Sequence, residues 1–282
     1  MDNSNFYIDT HCHLDFITKD DNILKNIIIN SEKIGIKYIF NISTDFYNFF
    51  YFANRLKDYK NIFYSIGLSP NDLNSLKNIN DKKKFIKENI DKGLSLYRDK
   101  IIGVGEIGLD YYWNKENKEQ QKEIFLVQVE SAIKNNLPII LHIRDAFNDL
   151  LEIFYSYKNI FEKTNIIFHC FSGNIEIIKN LEKLNLNFYY SFAGNITYDK
   201  SFNLKDSFYY LPIDKIILET DSPFLTPVPK RGEKNSPNNI IYTYKYCCNL
   251  KKIEENIFKE IIAKNVFEIF NKTLFGTYSR LY

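Results

Sequence analysis

A (β/α)8 barrel of the metal-dependent hydrolase type, with an extra C-terminal helix, is the fold this sequence predicts. Short β-like apolar runs alternate about eight times with longer helix-period segments, without any sequence-level repeat. Runs such as IIGVG and PIILH are apolar on both faces, as expected of parallel strands covered by helices. The 282-residue length suits one undivided barrel domain spanning residues 1–282. The strand at 5–10 leads to a helix at 21–34, the strand at 37–42 to a helix at 45–59, and the strand at 61–66 to a helix at 81–97. Strands at 100–105, 137–141 and 165–168 are followed by helices at 118–135, 146–157 and 174–184. After the strand at 186–191, the stretch 199–210 reads as short or irregular, and two helices follow the last strand at 215–218. A doubly wound open sheet is the alternative architecture. The Pro-rich, basic stretch 222–239 follows the eighth strand, does not separate two cores, and reads as an active-site loop.

Hydrophobic residues make up 45% and charged residues 26%, which excludes a wholly disordered or collagen-like chain. The net charge of +2 means that any nucleic-acid binding must rest on a local site rather than a global positive field. Because 21 Tyr and 24 Phe accompany many Ile, Asn and Lys, the composition looks like AT-rich coding, so aromatic counts carry little functional weight. No basic start followed by an apolar run marks a signal peptide, and no stretch reaches the roughly 18 apolar residues a membrane span needs. Of the cysteines, Cys12 and Cys170 lie beside histidines and Cys247 and Cys248 are adjacent, a poor disulfide framework. The expectation is a soluble, reduced protein of the cytoplasm or nucleus, not bound to membranes. A barrel has no exposed sheet edge demanding a partner, so a monomer is expected.

All four histidines, His11, His13, His142 and His169, fall at or just past the carboxyl end of a predicted strand. In such a barrel those ends converge on the catalytic mouth. His11 and His13 are two apart on an extended segment, so both imidazoles point to one side. Glu106 is placed at the end of the fourth strand and Asp221 at the end of the eighth, adding oxygen ligands of the sort that hold Zn, Mn or Mg. Taken singly, each histidine also suits a satisfied core position, and Glu106 a turn. The joint placement favours a metal site large enough for two ions.

The strings IDTHCHLD, GEIGLDYY, PIILHIRDA, FHCFSG and ETDSPFLTPVPKRGEKNSP resemble, in order, the signatures of the TatD family of metal-dependent deoxyribonucleases, in the amidohydrolase superfamily. The resemblance implies a TIM barrel with two divalent metal ions. It assigns His11, His13, Glu106 and Asp221 to one metal and Glu106, His142 and His169 to the second, with Glu106 bridging. It also implies hydrolysis of DNA phosphodiesters, often as a 3′ to 5′ exonuclease, supported by Mg or Mn, with Zn in some members. One departure is Gly67-Leu68-Ser69-Pro70, where many members carry Gly-x-His-Pro; Ser69 replaces the histidine, which puts substrate positioning there in doubt.

In the reaction so implied, the metals activate a water and neutralise charge on the phosphoryl oxygens. Asp221 is the candidate general base, or else a ligand only. Glu106 shares the catalytic assignment. Glu219 shares a strand face with Asp221 and either orients ligands or fills a core layer. Arg144, two residues past His142, is a candidate bidentate phosphate contact, and Arg231 is preferred over Lys230 and Lys234 as the cation of the last loop. Asp110 is expected to fix the loop after the fourth strand. Tyr111, Tyr112 and Trp113 are candidates for stacking on unpaired bases, with ordinary packing the stronger reading for the tyrosines. Cys12 and Cys170 alternate with the ligands and are expected to point away. The expected partner is DNA, as single strands or free ends, read with little sequence specificity. Two other readings are a hydrolase of esters or amides with the same metals, such as a D-aminoacyl-tRNA deacylase, and a non-catalytic binding protein that kept the barrel.

Overall fold

A computed structural model describes residues 5–113 and 115–270. Its eight strands are β1 (Tyr7–Cys12), β2 (Ile36–Asn41), β3 (Ile62–Ile66), β4 (Ile101–Asp110), β5 (Ile139–Arg144), β6 (Ile166–Phe168), β7 (Phe188–Phe192) and β8 (Ile216–Leu218). They form one sheet in sequence order, each paired in parallel with the next. The ring closes at its carboxyl rim, where Asp221 N donates to His11 O (2.9 Å) and His13 N to Ser222 O (2.8 Å). This is the (β/α)8 barrel, and the open-sheet alternative falls.

The crossover helices are α2 (Asp21–Lys33), α3 (Phe46–Leu56), α4 (Lys82–Tyr97), α5 (Lys118–Lys134), α6 (Phe147–Ser156) and α8 (Ile175–Glu182), with short turns α1 (Leu14–Ile17) and α7 (Lys158–Phe161). Several begin at a side chain that accepts from the first free backbone N–H groups, as Asp20 does for Asn22 and Ile23, Asp45 for Asn48, Asp81 for Lys84 and Asn174 for Ile177. The seventh crossover is less irregular than expected, a nine-residue helix α9 (Phe202–Tyr210) after a 3-10 turn at Gly194–Thr197. Two helices follow β8, α10 (Ile240–Lys251) and α11 (Glu255–Ile269). Asn265 of α11 donates to Ile213 O and Ile216 O, tying this extra helix to the start of β8. The last stretch of the expected 1–282 domain, 271–282, lies outside the described residues. Among the described residues no helix is long and apolar enough to cross a membrane.

The largest correction to the expected boundaries is β4, which runs five residues beyond Gly105 to Asp110, all ten positions buried. Glu106 therefore lies inside the strand rather than at its end. The pairing shifts register between Val104 and Ile107 and then resumes, Gly108 opposite His142 and Asp110 opposite Arg144. Two glycines and two acids look like a loop in a one-dimensional pattern. Here the glycines let two backbones approach: a Cβ at Gly108, whose φ is +142°, would lie 2.1 Å from His142 O. Gly108→Ala is expected to lower stability by about 3 kcal/mol or more, read as a fall in Tm, because β5 must move away. Gly232→Ala, also at positive φ but with open space around it, should cost less.

Candidate metal centre

β1 carries His11 near its carboxyl end and passes His13 to the start of α1. β4 carries Glu106, β5 carries His142, His169 follows β6 directly, and Glu219 and Asp221 follow β8. All six predicted ligands meet at the mouth, arranged as two groups that share Glu106. In the first, His11 Nε2 and His13 Nε2 are 3.2 Å apart, Glu106 Oε2 lies 3.5 and 3.6 Å from them, and Asp221 Oδ1 lies 3.8 and 3.5 Å from them. In the second, His142 Nδ1 lies 2.8 Å from Glu106 Oε1 and 3.1 Å from His169 Nε2, which is itself 3.6 Å from Glu106 Oε1. The stacked rings of His11 and His169, 4.0 Å between centroids, join the two groups.

These separations suit cations. Ligand atoms about 2.0–2.2 Å from one ion stand roughly 3.0–3.6 Å from each other in octahedral or tetrahedral geometry. The histidines are also set for it by their outward nitrogens: His13 Nδ1 donates to Ile42 O (2.9 Å) and His142 Nε2 to Asp110 Oδ2 (2.8 Å), so the remaining nitrogen of each faces the centre. Electrostatics ask for positive charge in the same place. Burial opposes ionisation of Glu106, yet His169, His11 and His142 hold its carboxyl well below the usual range. Burial lowers the pKa of His13 and of His142, but Asp221 and Glu106 push the first up to about 9, and Asp110 and Glu106 push the second up to about 10. Without a cation, protons must supply the charge that the two carboxylates demand.

Two further acids support the imidazoles, Asp110 as the last residue of β4 rather than in a loop and Glu219 just past β8 rather than on it. Asp110 does fix the loop after β4, its Oδ1 accepting from Tyr112 N (3.0 Å) and Trp113 N (2.9 Å), while its Oδ2 holds His142 and accepts from Asn71 Nδ2 (3.1 Å). Glu219, fully buried, accepts from Cys170 N (2.8 Å) and lies 3.4 Å from His169 Nδ1, so it braces the second group from behind. Asp110→Ala should weaken metal binding by about 10- to 100-fold through the freed His142 ring, measurable as Kd, and Asp110→Asn by less because an amide oxygen can still accept.

Asp9 belongs with these residues and is absent from the predicted set. It is fully buried, accepts from Thr220 N (2.9 Å) and Thr220 Oγ1 (2.6 Å), and so locks β1 to the segment that carries Asp221. Burial pushes its carboxyl up to about 8 despite those bonds. The signal was present, since Asp9, His11 and His13 follow the same every-second-residue spacing. Ser69 is buried, and its turn presents Asn71 to Asp110, so the departure at Gly67-Leu68-Ser69-Pro70 connects to the His142 support.

The predicted substrate contacts lie on the rim. Arg144 is exposed at the end of β5 with its guanidinium 3.8 Å over the Tyr112 ring, and Arg231 is exposed with its guanidinium 4.3 Å over Tyr198. Tyr111 is packing, buried with its hydroxyl donating to Asp149 (2.7 Å), whereas Trp113 is exposed. Lys230 pairs with Glu233, and Lys234 donates to Phe16 O and Ile17 O, so both lysines are engaged within the protein. Cys12 is buried with its thiol on Phe40 O, and the four cysteines are free.

A family profile described as TatD related DNase matches residues 8–271. The chain belongs to that family. A metal-dependent hydrolase of Buchnera aphidicola is 33% identical over 94% of this chain and 96% of its own. YabD of Bacillus subtilis, also a metal-dependent hydrolase, is 32% identical over 93% of this chain and 98% of its own. In fold, the TatD-family chain matches the YJJV TatD homolog of Escherichia coli with a TM-score of 0.83 at 24% identity, covering 95% of this chain and 99% of that one. A TatD family hydrolase of Entamoeba histolytica follows at 0.79 and 20%, covering 95% and 98%. The protein is a metal-dependent hydrolase of the TatD family, with His, Glu and Asp groups at the barrel mouth that can hold a metal.

Proposed function

We propose that this TatD-family hydrolase cleaves DNA phosphodiester bonds with two divalent metal ions, as a 3′ to 5′ exonuclease. The observation that carries the reading is the division of the two Glu106 oxygens, Oε2 toward His11, His13 and Asp221, and Oε1 toward His142 and His169. When bound there, two cations such as Mg, Mn or Zn would make a water acidic near neutral pH and offset the charge of a phosphodiester. Glu106, held ionised, spans both positions. Asp221, whose carboxyl is kept low by His13 and the neighbouring imidazoles in spite of burial, holds an oxygen toward the first position and is the proposed proton acceptor. Arg144 and Arg231, resting on aromatic faces at the rim, would meet the flanking phosphates of a DNA strand, and such contacts carry little sequence information.

The test is cleavage of an end-labelled single-stranded oligonucleotide with Mg or Mn, against EDTA and against Glu106→Ala. A ladder shortening from the 3′ end and abolished by both controls is expected. DNA left intact by protein holding two metals would overturn the nuclease reading and turn attention to ester or amide substrates such as aminoacyl-tRNA.

A further inference from the structure

Two exposed aromatic rings sit directly against the proposed metal ligand His13. Phe16 stacks on the His13 ring with centroids 5.2 Å apart and 26° between planes, and Phe224 meets the same ring edge-on at 6.3 Å. The two phenylalanines also contact each other, 6.3 Å apart at 73°. They are 41% and 50% exposed, although most large apolar side chains of this chain are buried.

Their backbones are held firmly. Phe224 N donates to Asp221 O (2.9 Å), and Phe224 O accepts from Asn235 Nδ2 (2.6 Å), whose second bond goes to Thr220 O (3.0 Å). Asn235 is itself almost completely buried. On the other side, the Lys234 ammonium donates to Phe16 O (3.1 Å) and Ile17 O (2.8 Å), strapping α1 to the loop after β8. Rings that face water on a mount this constrained are poised for a flat apolar partner.

The aromatic pair after β4, Tyr112 and Trp113, is exposed as well but shares its ring faces with a cation. Tyr112 already carries the Arg144 guanidinium on its ring at 3.8 Å and meets Trp113 edge-on at 4.8 Å. Among the described residues no cation lies on the Phe16 or Phe224 ring, so the pair beside His13 keeps its exposed apolar surface.

We infer that Phe16 and Phe224 form a stacking platform for one unpaired base of the nucleotide at the scissile phosphate, and that this platform makes the enzyme select ends whose base is free. The inference rests on the nuclease reading and adds the specificity element to it. A paired base keeps both faces in the duplex stack, so only a base turned out of it can lie on a ring beside His13. Base–aromatic stacking tolerates every base, which agrees with cleavage that reads ends rather than sequence.

The experiment uses two oligonucleotides that differ only in whether the nucleotide at the cleaved end bears its base or is abasic. For wild type, kcat/KM is expected to favour the base-bearing end by roughly 5- to 100-fold, mainly through KM. In the Phe16→Ala/Phe224→Ala double variant that ratio should fall toward one, and Phe16→Tyr/Phe224→Tyr should restore it. A separate readout without turnover uses metal-loaded protein and places 2-aminopurine at the same end of an oligonucleotide whose last linkage is non-hydrolysable: wild type should quench its fluorescence on binding and the alanine variant should not. A loss that strikes both substrates equally, or equal quenching by both proteins, would overturn the platform while leaving the nuclease intact. Intact DNA with metal-loaded wild type would overturn both.

Discussion

Glu106→Ala is expected to lower metal-dependent turnover by on the order of 10³-fold or more and to leave the protein with less than its full complement of metal. Its two oxygens face the two groups of ligands: Oε2 lies 3.5–3.6 Å from His11 and His13, and Oε1 lies 2.8–3.6 Å from His142 and His169. Glu106→Gln sharpens the test because it keeps volume and shape. Whichever way the amide turns, one group of imidazoles meets an NH2 instead of an oxygen, so the glutamine variant should fall almost as far as the alanine one. Metal content per protein chain and kcat on the end-labelled oligonucleotide are the measurements. A glutamine variant with full metal and near-normal kcat would show that the carboxylate does not join the two positions.

Asp221→Asn should reduce kcat by about 10²- to 10³-fold. The substitution tests chemistry rather than backbone, because Asp221 sits at φ +52°, a left-handed conformation that asparagine adopts as readily as aspartate. The two roles open to Asp221 separate by their response to metal. If it accepts the proton, metal stays bound through His11, His13 and Glu106, KM changes little, and excess Mn does not restore turnover. If it is a ligand only, affinity drops and excess Mn restores most of the rate. Recovery with metal would remove Asp221 from the proton-transfer step.

The barrel was legible because strand and helix declare themselves over a few residues. Eight apolar runs fell within a few residues of the observed strands at all but one carboxyl end, and the acidic or amide residues at 20, 45, 81 and 174 start helices by accepting from the next free N–H groups. β4 resisted because its last residues, EIGLD, mix two acids and a glycine with two apolar residues, and what makes them a strand is pairing with β5 after a register shift. A pairing partner some 35 positions away in the chain leaves no mark on local periodicity.

The same division runs through the site. Four histidines at strand ends, with Glu106 and Asp221, pointed to the metal centre from order and spacing, and the His-x-His pair follows from the two-residue period of an extended chain. Which oxygen of Glu106 serves which imidazoles, the hold of Asp110 on His142, and the lock between Asp9 and Thr220 depend on contacts between different strands around the barrel. The cations of the last loop show it most clearly. Lys230, Arg231 and Lys234 look alike as a basic run, yet folding commits the first to Glu233, lays the second over Tyr198 and uses the third to strap α1, so that the exposed face beside His13 belongs to Phe16 and Phe224. Residue type and spacing set what chemistry the mouth can perform; closure of the ring, which brings the start of the chain against the end of its eighth strand, sets which side chains are left free to meet a substrate.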